Sequence, residues 1–345
     1  MTTQWEQRWH PLRREWVVYS AHRNTRPWSG AMEDTLPEQP PYDPECYLCP
    51  GNPRVSGAVN PTYESVFVFD NDHPVVGDAA PDVTPHPTAP GLYPVEPARG
   101  VARVVCYDPR HNATISDVSP ARVEEVMQTL QDQVLDLQAR DSVRFMLVFE
   151  NKGTITGVSN LHPHCQIYAT SFVFKNISCE IEAVQAHRET TGRNLFEDIL
   201  SVEDGDPCRV VAENEWAVAF IPFFARYPYE VWVFPRKRHA TLATLLPEEI
   251  GGLARVYQEL NRRYDGLFDI SFPYVMCLYQ APVDGRPHPA YHLHFVFLPP
   301  LRQPGVRKFP AGPELGGGNY MCDALPEVTA ATLQAVDHSR WKETP

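Results

Sequence analysis

VVCYDPRHNATISDVSP (104–120) and VWVFPRKRHATLATLLP (231–247) carry one reading twice. Each runs as an apolar strand, a basic turn, a His followed by a small residue and Thr, a short apolar stretch, and a Pro that opens a helix. His111 and His239 stand 128 positions apart. After Pro120, apolar residues fall at Val123, Val126, Met127, Leu130, Val134 and Leu137, which is the helical period. Ser119 before Pro120 suits an N-cap followed by the first helical position. After Pro247 the pattern recurs at Ile250, Leu253, Tyr257, Leu260 and Tyr264. Each helix leads into an apolar strand, FMLVF (145–149) and YVMCLY (274–279). Each copy then closes on a strand with a His pair, His162-Pro-His164 and His292-Leu-His294, at an offset of 130. Four landmarks in one order at nearly constant offset predict a duplicated α+β unit with antiparallel sheet and long helices. The two copies make either one continuous sheet or two halves; the sequence does not choose.

Size and composition fit that reading. The chain has 345 residues, room for two domains of about 150 residues each. We divide it into an N-terminal half, 1–175, with the HPH motif, and a C-terminal half, 176–345, with the HLH motif. Hydrophobic residues make up 43% and charged residues 21%, which excludes a disordered chain. The 35 prolines sit in short clusters and predict a loop-rich surface. No apolar run approaches the roughly 20 residues that cross a bilayer, and the N-terminus lacks a basic-then-apolar leader pattern. A soluble cytoplasmic protein without membrane contact is the expectation. A net charge of −13 argues against nucleic acid as the main partner. It leaves room for a small phosphorylated ligand. Eight scattered cysteines fit reduced thiols better than a disulfide scaffold.

Two clusters carry chemistry. Cys46-Tyr-Leu-Cys49 lies in Pro-rich sequence, not at the strand-to-helix junction that a redox pair wants. Metal binding is the stronger reading over redox or inert thiols, because two thiolates with two distant imidazoles make an ordinary tetrahedral zinc site. In His162-Pro-His164-Cys-Gln166, strand alternation would put His162, His164 and Gln166 on one face. Such a cluster is expensive to bury unless each ring nitrogen has a partner.

A neutral imidazole can attack phosphorus and split a nucleotidyl transfer into two displacements. Its other nitrogen must then be held as N–H by an acceptor such as a backbone carbonyl. Developing charge on the phosphoryl oxygens needs fixed donors, for which Asn151, Lys152, Ser159 and Gln166 are candidates.

The stretch ENKG…SN-HPH-Q resembles the active-site segment of the galactose-1-phosphate uridylyltransferases, a branch of the histidine-triad superfamily. AHRNTRPWSGA (21–31), CYLCPGN (46–52), VFDNDHP (68–74), RYDGLFDISFPY (263–274) and PPLRQPGVRKF (299–309) extend the likeness over most of the chain. The resemblance implies duplicated histidine-triad-like units. It also implies a ping-pong enzyme that moves UMP from UDP-glucose to galactose 1-phosphate through a covalent uridylyl-histidine. It implies His164 as nucleophile, with Gln166 orienting the phosphoryl group where simple histidine-triad hydrolases carry a third His. It implies structural zinc on Cys46, Cys49, His111 and His162. Arg23, Arg26, Tyr47, Asn71, Asn151, Ser159 and Gln166 fall at nucleotide-contacting positions. Lys308, Phe309 and Glu314 fall where the family contacts hexose phosphate across a homodimer interface.

Departures accompany the matches. The family's second metal site, holding iron or zinc in some members, would use Glu180, His292, His294 and a further His, but that last place is Tyr279. His288 is a substitute candidate. Cys165 stands where Gly is usual, and Pro313 replaces an expected Tyr. Two other functions therefore stay open: an NDP-sugar nucleotidyltransferase or phosphorylase with different specificity, and a non-catalytic, zinc-stabilised nucleotide-binding protein.

Overall fold

A computed structural model describes residues 5–25, 39–89 and 91–341. An N-terminal hairpin pairs β1 (Trp5–His10) with β2 (Glu15–Ser20). The first copy then contributes β3 (Phe67–Asp70), β4 (Gly100–Cys106), α1 (Pro120–Gln138), β5 (Phe145–Lys152) and β6 (His164–Thr170). Two helices, α2 (Lys175–Thr191) and α3 (Leu195–Gly205), lead into the second copy. That copy supplies β7 (Val210–Glu213), β8 (Ala217–Phe220), β9 (Val231–Pro235), α4 (Pro247–Leu267), β10 (Tyr274–Tyr279) and β11 (His294–Leu298). The small pair β12 (Leu301–Gln303) and β13 (Val306–Arg307), then β14 (Met321–Cys322) beside β2, and α5 (Pro326–Gln334) complete the described chain.

The copies share one sheet. Nine strands run in the order β3-β4-β6-β5-β10-β11-β9-β8-β7, every pair antiparallel. Read from the seam between β5 and β10, β6-β4 on one side mirrors β11-β9 on the other. The expected apolar positions of α1 and α4 are buried in one core against one face of this sheet. Ser119 caps α1, its side chain accepting from the Arg122 N–H, with Pro120 in the first turn. In the first turn of α4, Glu249 accepts from the Leu246 N–H at 2.8 Å and meets His239 Nε2 at 3.0 Å.

The opposite face differs between the halves, and that difference positions the site. In the second copy, α2 and α3 cover it, with Ile177, Val184, Phe196 and Ile199 packed on Trp232, Phe234 and Val296. Strand β9 is therefore buried on both sides. In the first copy no helix among the described residues covers the corresponding face of β6. Alternation along β6 sends Cys165, Ile167 and Ala169 into the shared core. His164, Gln166 and Tyr168 stand on the uncovered side.

One expectation is corrected here. β6 starts at His164, so His162 does not share a strand face with it. Pro163 has no N–H to donate to the ladder and marks the strand's beginning. Its carbonyl still accepts from the Tyr107 N–H at 3.0 Å. The second copy starts the same way, β11 opening at His294.

Candidate active site

His162 turns out of the strand line into a buried knuckle. One donor atom from each of Cys46, Cys49, His111 and His162 lies within 4.8 Å of the others. Cys49 Sγ is 3.7 Å from His111 Nδ1 and 3.6 Å from His162 Nδ1. A tetrahedral zinc with ordinary Zn–S and Zn–N bonds spaces such atoms by about 3.5 Å. The donor set and its closure fit a metal. The tautomer of His162 agrees, since its Nε2 donates to the Asp108 carbonyl at 2.9 Å and leaves Nδ1 with a lone pair toward Cys49. Among the described residues this is the one group of three or more Cys, His or acidic side chains close enough to share an ion.

The sequence reading missed the residues that hold this knuckle. Asn52 Nδ2 donates to the Asp43 and Cys46 carbonyls at 2.9 and 2.8 Å. Asn60 Nδ2 donates to those of Tyr47 and Cys49 at 2.9 and 3.1 Å. Tyr63 donates to the Leu48 carbonyl at 2.6 Å, and Asn160 accepts from the His162 N–H at 2.9 Å. Each is a polar residue in loop sequence, with no spacing to betray its partner.

The loop from the knuckle ends at His164. Its Nδ1 lies 2.7 Å from the His162 carbonyl oxygen. A carbonyl only accepts, so Nδ1 carries the proton and Nε2 is the free imine nitrogen. Burial pushes the His164 pKa below its ordinary value and favours this neutral form. The ring required for attack on phosphorus is thus pre-set by its own backbone.

His164 borders two cavities. One, of about 350 Å³, is lined by Tyr47, Asn71, Ser159 and Gln166 together with Asp72 and the rings of Phe69 and Tyr168. The Asn71 amide donates to Gln166 Oε1 at 3.3 Å, and the Tyr47 and Ser159 hydroxyls lie 3.5 Å apart. Flat rings beside amide and carboxylate groups suit a base and its ribose. The other cavity, of about 530 Å³, includes Asn151, Gly153, Asn160 and His162. Lys152 also lines it, yet its ammonium is held 2.6 Å from Asp265 Oδ1 with little exposure. Its charge is already balanced inside the protein. Glu150 lines it too, bonded by the Tyr107 and Tyr274 hydroxyls at 3.1 and 3.2 Å, and burial pushes its pKa up to about 7.

Other predicted residues stand apart. Arg23 is exposed on a short 3₁₀ turn and lines neither cavity; Arg26 lies outside the described residues. Lys308 and Glu314 pair with each other at 3.3 Å, and neither they nor Phe309 reach a His164 cavity of this chain. Cys165 is fully buried in the core, behind the nucleophile rather than beside it. His288 is bonded to Asp284 at 3.0 Å and joins no metal-sized group with Glu180. Glu180, His292 and His294 do not assemble as a metal-binding trio. His292 Nδ1 takes the His239 N–H at 3.5 Å, while Glu180 Oε1 faces His294 Nε2 at 3.7 Å.

Comparisons with known proteins agree with this arrangement. The family model described as galactose-1-phosphate uridyl transferase, N-terminal domain, matches residues 1–173, and the C-terminal domain model matches 180–343. A galactose-1-phosphate uridylyltransferase of Haemophilus influenzae is 36% identical over 338 residues, 97% of this chain and 95% of the relative. That of Saccharomyces cerevisiae is also 36% identical, over 96% of this chain and 94% of its own length. A solved uridylyltransferase structure aligns with a TM-score of 0.77 and 30% identity over 96% of this chain and 97% of its own. An ADP-glucose phosphorylase from Arabidopsis thaliana shares the fold, with a TM-score of 0.78 at 21% identity over 97% of this chain and 99% of its own.

Proposed function

The chain belongs to the galactose-1-phosphate uridylyltransferase family, and from that premise we propose how its own residues carry the reaction. UMP moves from UDP-glucose to galactose 1-phosphate in two displacements. His164 Nε2 attacks the α-phosphorus of UDP-glucose; a P–N bond forms, the P–O bond to the β-phosphate breaks, and glucose 1-phosphate leaves. A phosphate oxygen of galactose 1-phosphate then attacks the same phosphorus, the P–N bond breaks, and UDP-galactose leaves with His164 restored. The observation that carries this reading is the 2.7 Å lock of His164 Nδ1 on the His162 carbonyl at the mouth of a nucleoside-sized cavity.

The nucleotide sits in the cavity of Tyr47, Asn71, Ser159 and Gln166, with Asn151 on the phosphoryl side; the family resemblance adds Arg23 and Arg26 as nucleotide contacts. Gln166 orients the phosphoryl oxygens and cannot pass a proton to water, which protects the covalent intermediate. Zinc, bound by Cys46, Cys49, His111 and His162, supplies structure rather than a Lewis acid. It ties the 46–49 loop to the residue that orients His164.

Residues 1–175 form the catalytic half, and 176–345 the half with the sugar-side segment. Lys308, Phe309 and Glu314 serve the hexose phosphate of a partner's site in a homodimer, which accounts for their distance from this chain's own cavities. The outer face of the hairpin favours such a contact, with Trp5, Trp9 and Trp16 all exposed and Trp9 against Trp16 at 5.2 Å. Unpaired thiols and sugar-phosphate substrates fit the cytoplasm, and no helix among the described residues is long and apolar enough to cross a membrane.

Incubation with UDP-glucose alone, followed by intact-mass analysis, tests this directly. One uridylyl group per chain is expected, discharged by galactose 1-phosphate. A protein that takes up no nucleotide from UDP-glucose overturns the assignment.

A further inference from the structure

The second copy contains a counterpart of the His164 lock. His294 Nδ1 lies 3.0 Å from the His292 carbonyl, so His294 Nε2 is again the free nitrogen. It does not open on a cavity. It faces Glu180 Oε1 at 3.7 Å, and both side chains are fully buried. Two lone-pair donors meeting in a dry interior call for a cation. The family resemblance would put a second metal here, but Glu180, His292 and His294 do not bring three donor atoms within reach of one ion. Tyr279 stands in place of a ligand, with its ring edge-on to His294 at 5.5 Å. His292 spends its Nδ1 on a backbone N–H. The Tyr291 hydroxyl takes the other oxygen of Glu180.

The cation that does arrive is Arg13, from the turn between β1 and β2. Its Nη2 lies 3.1 Å from Glu180 Oε1, with the side chain 4% exposed. The same guanidinium donates to the Asn176 carbonyl at 2.7 Å and sits 5.1 Å above the Tyr279 ring. Tyr279 completes the pocket by accepting from the Asn176 amide at 3.3 Å. An aromatic face and a carboxylate suit a planar guanidinium, while the buried His292 and His294 Nε2 atoms beside it make no hydrogen bond.

We propose that the Arg13 guanidinium is the resident cation of the Glu180–His294 pocket, standing where a second metal would sit. It pins the N-terminal hairpin onto α2, and the protein carries one metal per chain. This goes beyond the proposed function and is read without any activity measurement.

Metal content and thermal unfolding test it. The wild-type protein is loaded with excess zinc or iron(II), desalted, and analysed by elemental mass spectrometry. One equivalent is expected, unchanged by Glu180→Gln and lost in Cys49→Ala. Two equivalents in the wild type, one of them removed by Glu180→Gln, overturn the proposal. For the cation itself, Arg13→Met keeps bulk without charge and Arg13→Lys keeps charge. Arg13→Met is expected to lower Tm by several degrees, and Arg13→Lys to recover at least half of that loss. A lysine variant no more stable than the methionine variant shows that the charge is not what the pocket uses, and also overturns it.

Discussion

His164 and His294, 130 positions apart, are held by the same device: each ring's Nδ1 rests on the carbonyl of the His two residues before it, at 2.7 and 3.0 Å. Only their surroundings differ. The first ring borders two cavities and the second is sealed beneath Glu180, Tyr279 and Tyr291. One imidazole is free for covalent chemistry, and its twin is a structural part.

His164→Ala removes the attacking nitrogen without disturbing the knuckle. Transfer from UDP-glucose to galactose 1-phosphate is expected to fall by at least on the order of a thousandfold. Mass analysis should show no uridylyl adduct, while Tm changes little. A variant that still forms the adduct places the nucleophile elsewhere.

Cys49→Ala deprives the buried group of its central donor, the sulfur nearest both imidazoles. Metal content is expected to fall to zero and Tm by ten degrees or more, since a structural zinc contributes directly to folding. Activity should fall with it, because His162 loses its anchor and carries His164 along. Full metal occupancy in this variant sinks the ligand assignment.

Glu150 gives a pH dependence of known sign. Its folded pKa, raised by burial to about 7, exceeds the ordinary carboxyl value of 4.5. The folded state therefore binds this proton more tightly, and the stabilisation it gives, complete below about pH 4.5, is lost as pH rises toward 7. The loss is on the order of a few kcal/mol. Glu150→Gln keeps an acceptor for Tyr107 and Tyr274 and removes the titration. Its Tm advantage over wild type should be greater at pH 8 than at pH 5. Parallel curves for the two proteins refute the assignment.

Two neighbouring glycines in α4 should respond oppositely to alanine. At Gly251 the new methyl meets only the ends of two flexible side chains, Glu124 at 3.3 Å and Arg255 at 3.5 Å. Gly251→Ala is expected to be neutral or to stabilise by up to about 1 kcal/mol through helix propensity. At Gly252 the methyl would lie 2.2 Å from Trp216 Cβ. Gly252→Ala should cost about 1–3 kcal/mol or more. Chemical denaturation of both variants measures this, and equal midpoints contradict the packing.

Much of this was legible in the sequence because duplication writes the same periodic pattern twice. The buried stripes of α1 and α4, the Ser119 cap and the existence of both His strands follow from local spacing, whereas the start of the first at His164 rather than His162 does not. The His162 carbonyl is two residues from His164, and such a lock is local as well. The choice between one sheet and two was not legible, because strand pairing across the seam joins residues such as Cys277 and Phe149 that no local pattern links. The same holds for Arg13, whose turn reaches Glu180 only after the chain has folded. Lys152 read as a phosphate donor because its partner Asp265 lies 113 residues away. Lys308 and Glu314 pair over six residues, but a bond between two expected sugar contacts leaves no trace in their spacing.

The seam between β5 and β10 has a consequence for how the molecule comes apart. Both long helices pack into one core that spans it, so neither half owns a complete interior. Cut at the junction, each fragment would be left with an unsatisfied strand edge and half a core. The chain resembles an internal dimer, built from two related units that must melt together. Such a pairing lets one unit give up its reactive face to become ballast while the other keeps its own.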